Sequence, residues 1–248
     1  YLLYSLRRSD VFASVALGFT GIGFLTHTVA LHMQMVGASQ VLLASFDQAM
    51  SFFSWALVLV FLIVEWRHGI HVLGSFLLPL AFLSLLSAAA LPREVPTLEP
   101  VLKTVWVHVT LSMLGTVGFA VAFVAGLMYL IQERMLKSKR FNVFYARLPP
   151  LDFLDQLNQQ SIVLGFPLLT LGIITGAVSA EFARGSYLNW NPEQTLALVT
   201  WVFYFIVLVG RLTVGWRAKR AAYLTIIGFA GVVLTLLGVL LKGHSPVV

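Results

Sequence analysis

Cysteine is absent from the sequence. That removes disulfides, thiolate zinc sites, iron–sulfur clusters, thioredoxin-like redox chemistry and covalent haem attachment through a cysteine pair as properties of this chain. Charge is scarce as well, at 10% of 248 residues, where a soluble domain carries about 25%. With 59% hydrophobic residues and a mean hydropathy of +0.90, a water-soluble globule is excluded and a multi-pass membrane protein is implied. Acidic residues are the scarcer sign, 10 against 16 Lys and Arg, for a net charge of +6. In a soluble protein such an excess would raise nucleic-acid binding; here it has first to be read as membrane topology. There is no internal repeat, no low-complexity tract and no recognisable cleavable signal.

What the chain does contain is long apolar runs, at about 12–33, 44–66, 70–91, 104–133, 161–181, 195–216 and 221–242. Each reaches the roughly 20 residues needed to cross a bilayer core. None shows the alternation of a barrel strand, and lipid leaves open backbone groups without partners, so helices are required. The expected fold is all-α, a polytopic transmembrane helix bundle of seven complete spans forming one domain. Tyr1-Leu2-Leu3-Tyr4-Ser5-Leu6, followed by Arg7 and Arg8, reads as the tail of an earlier helix and so as a partial eighth span.

Lys and Arg divide unequally between alternate loops. Twelve fall on one side (Arg7, Arg8, Arg67, Arg134, Lys137, Lys139, Arg140, Arg147, Arg211, Arg217, Lys219 and Arg220) and four on the other (Arg93, Lys103, Arg184 and Lys242). The richer side is cytoplasmic by the positive-inside rule, which accounts for the basic excess and leaves no call for nucleic acid. The segment 134–160 is then the longest cytoplasmic loop. Within it Leu151, Leu154 and Leu157 recur at helical spacing after Leu148-Pro149-Pro150, which fits either a short interfacial helix or a solvated connector. The loops 34–43, 92–103 and 182–194 lie outside.

Six histidines are the candidates for metal or proton chemistry. His68 and His71 sit at inner helix ends beside Arg67 and Gly69, where a structural role is expected. His27 and His32 share a span, but five residues turn a helix through about 500°, so they cannot chelate from one face. They remain secondary candidates, because an ionisable residue in a span is a functional suspect by default. His108 opens the helix 104–133 at its outer end and His244 follows the outer end of the last helix, so both face the same compartment. On that side too lies the loop Phe182 to Gln194, with Arg184, Tyr187, Trp190 and Asn191. Two imidazoles beside flat aromatics can hold a haem, with neutral His ligating iron axially. The same Tyr and Trp also suit an ordinary interfacial belt.

The loop Gly185 to Gln194, running into Thr195 to Trp201, resembles the tryptophan-rich "WWD" signature of the CcsA-type cytochrome c assembly family, and the similarity covers almost the whole chain. His108 and Gly118 to Leu130, ending in Gln132-Glu133-Arg134, resemble the family's helix that starts with an outer His. Gly165-Phe166, Leu169-Thr170 and Gly176 match its next span, and Trp216-Arg217 and Gly243-His244-Ser245 match its close. His27-Thr28 and Trp55 resemble positions in its first half. Within the signature, Gly185, Trp190 and Pro192 are kept, while Arg184 and Leu188 replace Trp and Asn191 replaces Asp.

The resemblance implies a membrane protein of cytochrome c maturation that handles a non-covalent, b-type haem and presents it on the non-cytoplasmic face. His108 and His244 would be the axial ligands, and Trp190, Tyr187 and Asn191 would line the site; by its charge Arg184, helped by Lys242, would hold a propionate or else serve as an interfacial anchor. A lipid bilayer, a partner membrane subunit and an apocytochrome c are the implied partners, in a bacterial cytoplasmic membrane or an organellar one. No nucleophile–base pair or P-loop is present, so catalysis by this chain alone is not expected. Two alternatives stay open: a HemX-like regulator of tetrapyrrole synthesis working through 134–160, and a structural subunit of a respiratory or electron-transfer complex.

Overall fold

The computed structural model describes residues 1, 4, 11–37, 45–90, 102–139, 143–187 and 190–242, leaving aside the side chains of 35–37, 102–104, 183–184, 193 and 238–242. Among the described residues it is all helical: α1 (Val11–Gly37), α2 (Phe46–His68), a 3-10 turn (His71–Leu73), α3 (Gly74–Ala90), α4 (Leu102–Lys137), α5 (Val143–Arg147), α6 (Leu151–Arg184), α7 (Pro192–Leu212) and α8 (Ala218–Lys242). All but α5 are long and apolar enough to cross a membrane, α3 together with the preceding 3-10 turn, giving seven spans. The chain is a multi-pass membrane protein. The expected partial span at the start falls mainly on residues outside those described.

α4 is the centre of the bundle. It packs most extensively on α6, and also on α8 and α2. The α4–α6 seam is made by residues without side chains: a Cβ at Gly115 would fall 2.7 Å from the Leu169 backbone N, and one at Gly118 would fall 2.9 Å from the Gly165 Cα. Association inside a bilayer lacks a hydrophobic drive and depends on such close backbone approach. α2 and α3 form a hairpin closed at Gly69, whose φ of 64° ends α2 by a hydrogen bond from its N–H to the Glu65 carbonyl. Past that turn His71 pairs with the buried Glu65, and His68 packs edge-on to Phe153. α1 touches α2 and leaves Val11, Phe19, Ile22 and Val29 largely exposed, as a lipid-facing helix does.

Two boundaries differ from the sequence expectation. The residues expected as a short interfacial helix or connector are the first turns of α6, which starts at Leu151 rather than at 161. Leu154 and Asn158 are buried there and Asp155 is half-buried, whereas Asp152 stays exposed. The connection between α4 and α6 is correspondingly shorter than the 134–160 expected, because α4 also runs on to Lys137 and α5 interrupts it. α7 ends at Leu212 rather than at 216, and the chain turns through Gly215, φ 75°, into α8.

The inner end of the bundle is closed by a polar network. Arg211 of α7 is buried and donates to Asn158 Oδ1 (2.6 Å), Asp155 Oδ1 (2.8 Å) and the Asp155 carbonyl (3.1 Å). Asn158 Nδ2 in turn donates to the Ala122 carbonyl on α4 (2.6 Å) and to Thr225 Oγ1 on α8 (3.1 Å). The Asp155 carboxylate also accepts the Ala218 N–H at the start of α8 (3.1 Å), where negative charge is favoured. Four helices are thus tied together by groups that would be costly to leave unmatched.

Candidate functional site

Above that closure, toward the outer ends of α4, α6, α7 and α8, lies a cavity of about 430 Å³. Phe119 lines it and stacks face to face on Tyr204, with ring centroids 3.7 Å apart, and the Tyr204 hydroxyl reaches the Thr225 carbonyl of the inner network. The wall is mainly apolar, with Leu169, Ile173, Leu198, Val232 and Leu236 among its residues, and His108 is its ionisable group.

His108 is oriented by backbone. Its Nδ1 lies 2.6 Å from the Gly172 carbonyl oxygen of α6. A carbonyl can only accept, so Nδ1 carries a proton and donates; in the neutral ring Nε2 then keeps its lone pair. Ser112 Oγ, one turn along α4, stands 3.4 Å from the same nitrogen. The ring fits because α6 presents glycine to it: a Cβ at Gly176 would fall 2.5 Å from His108 Nδ1 and 2.6 Å from its Cε1. A neutral imidazole with one nitrogen fixed by a backbone oxygen and the other bare is the form that ligates a metal.

The outer loop is built for position. Gly185, φ 68°, ends α6 through its N–H to the Glu181 carbonyl. Trp190 then takes a left-handed φ of 49°, which turns the chain into Asn191, the N-cap of α7. The Asn191 side chain accepts the Gln194 N–H (3.3 Å), Pro192 opens the helix, and Gln194 lines the cavity. Tyr187 and Trp190 are exposed, 58% and 70%, and neither lines the cavity wall.

Of the residues singled out in the sequence, His108 lines the cavity, Asn191 caps the helix that carries Gln194 into it, and Tyr187 and Trp190 stand on the loop above. His244 and the Arg184 side chain lie outside what is described. α8 brings Val232, Thr235 and Leu236 to the cavity, and its end at Lys242 is two residues before His244. His27 and His32 are not part of this site. His27 Nε2 meets Ser51 Oγ on α2 (2.9 Å), and His32 is exposed near the outer end of α1. Among the described residues no three His, Asp or Glu side chains converge to hold a metal ion. Sequence reasoning missed the Gly172 carbonyl, Ser112 and Gln194. The glycines at 165, 172 and 176 recur at helical spacing, and that was the available signal for a face of α6 approached closely by another group.

Comparison with known proteins adds a family. Residues 43–245 match the family described as "Cytochrome C assembly protein". The chain is 30% identical to "Cytochrome c biogenesis protein CcsA" of Guillardia theta, over 93% of this chain and 84% of that one. It is 29% identical to the protein of the same name from Pyropia yezoensis, over 93% and 89%. For that of Synechococcus elongatus the figures are 28%, 93% and 86%.

Proposed function

We propose, because this chain belongs to the cytochrome c assembly protein family, that it is a membrane protein of cytochrome c maturation that holds a non-covalent haem at its outer end. The observation that carries this reading is His108: an imidazole whose Nδ1 is fixed by the Gly172 carbonyl, at the wall of an apolar cavity. The residues present fit the group. Gly176 leaves the room the ring needs, and Phe119, Leu169 and Leu198 offer the apolar surface a macrocycle requires. His244, two residues beyond the end of α8 in sequence, would be the second residue to hold the iron in this reading. Arg184, where the family's signature has Trp, supplies a cation for a propionate.

Bound there, haem supplies the two vinyl groups to which the thiols of an apocytochrome c add. This chain has no cysteine, so both thiols come from the apocytochrome, which makes it an obligatory partner. The chain's own work is to bind, to orient through His108 and to exclude water with the Phe119–Tyr204 stack. A further membrane subunit completes this reading. By the Lys and Arg count the His108 end lies on the non-cytoplasmic side, and a bacterial cytoplasmic membrane fits that polarity.

Gently solubilised protein is expected to show a Soret band that is lost in His108→Ala and in His244→Ala. A band that survives both substitutions overturns the assignment of the ligands, and protein that takes up no haem overturns the reading itself.

A further inference from the structure

A second cavity, of about 260 Å³, lies between α1, α2 and α3, and shares no lining residue with the one at His108. We propose that it binds the ring of an isoprenoid quinone or its quinol, with His27 as the hydrogen-bonding group. This goes beyond the haem reading and does not depend on it.

Place comes first. Gly23, Phe24 and His27 of α1 face Ser54 of α2 and Ala81 and Phe82 of α3, all inside membrane spans, so the occupant is something dissolved in the bilayer. Charge narrows the class. Among the described residues no Lys, Arg, Asp or Glu lines the cavity, so a carboxylate or phosphate would be taken out of water with no counter-charge from them. That argues against fatty acids and phospholipid headgroups, and leaves a neutral lipophile.

Hydrogen bonding narrows it again. Thr20 Oγ1 and Ser54 Oγ both line the cavity, but each spends its proton on a helix carbonyl, those of Ala16 (2.8 Å) and Ala81 (2.9 Å). His27 is different. Its Nε2 meets Ser51 Oγ at 2.9 Å, and among the described residues its Nδ1 has no hydrogen-bond partner. If Ser51 donates to Nε2, then Nδ1–H donates to a ligand carbonyl. If Nε2–H donates to Ser51, then Nδ1 accepts from a ligand hydroxyl. One imidazole–hydroxyl pair therefore serves both halves of a carbonyl/hydroxyl couple, which is the difference between a quinone and a quinol. A saturated acyl chain would satisfy neither arrangement.

Shape agrees. Phe24 is backed by Trp55 in a stack (5.5 Å, 19°), Trp55 Nε1–H is held by Thr28 Oγ1 (2.9 Å), and Phe82 also lines the cavity. Aromatic walls around a volume of this size favour a flat one- or two-ring head over a macrocycle.

The test uses the full chain in nanodiscs of phosphatidylethanolamine and phosphatidylglycerol with a photoreactive azido-1,4-naphthoquinone. Labelling is expected to saturate, to map to α1 and α3, and to be competed by 2-methyl-1,4-naphthoquinone but not by palmitate. His27→Leu should weaken it about tenfold, the size of effect expected from the net loss of one hydrogen bond. His27→Gln, which keeps a donor and an acceptor, should restore most of it. Gly23→Phe places a ring where a side chain meets nothing within 4 Å, and should block labelling without disturbing the fold. Labelling that rises linearly and spreads over lipid-facing helices means lipid alone fills the cavity and overturns the proposal. Equal labelling of the native chain and Gly23→Phe, or of the native chain and His27→Leu, overturns it too.

Discussion

A methyl group at Gly176 would occupy space that the His108 imidazole already fills. Gly176→Leu is therefore expected to push the ring off the Gly172 carbonyl and release the tautomer it fixes. Haem retained per mole of purified protein should fall by about tenfold or more, as when the orienting partner of a metal ligand is lost. Gly18→Leu, on the open face of α1 where nothing lies within 4 Å, should leave retention unchanged. Equal retention in both variants would separate haem binding from the His108 geometry. The sequence made His108 visible as a histidine at an outer helix end. It could not show what fixes the ring, because the partner is a main-chain oxygen 64 residues away that any residue type would carry. Asn191 was read there as a ligand contact, whereas its side chain is engaged in capping α7.

α6, α7 and α8 are joined at their inner ends by Asp155, Asn158 and Arg211. Arg211→Met would remove the cation paired with the half-buried Asp155 carboxylate and the shortest hydrogen bond to the buried Asn158 Oδ1, at a cost of roughly 1–3 kcal/mol. A lower midpoint of thermal unfolding is expected, with much of the loss recovered when Asp155→Leu and Asn158→Leu are added, since apolar replacement of a whole buried set is far less costly than removal of one member. A triple variant as unstable as the single one would mean that the network does more than satisfy itself. The same network explains which elements could be read in advance. Apolar runs of sufficient length identified all seven spans. The start of α6 was hidden, because Asp152, Asp155 and Asn158 look aqueous in sequence, and the arginine that makes Asp155 and Asn158 acceptable inside the bundle lies more than 50 residues further on.

Across the whole molecule, the distribution of Lys and Arg assigns every connection to one side of the membrane. Because the native chain has no cysteine, single thiols can be read against a clean background. In right-side-out vesicles an impermeant maleimide is expected to modify Ser186→Cys, in the loop after α6, and to modify Ser138→Cys, after α4, only once the membrane is opened. The reverse pattern would invert the topology and put the His108 end in the cytoplasm.

The Phe119–Tyr204 stack, continued by Thr225, Asn158 and Arg211, turns the outer cavity into a cul-de-sac. On the proposed function, a haem seated against His108 would be barred from passing inward and would be collected from the outer end.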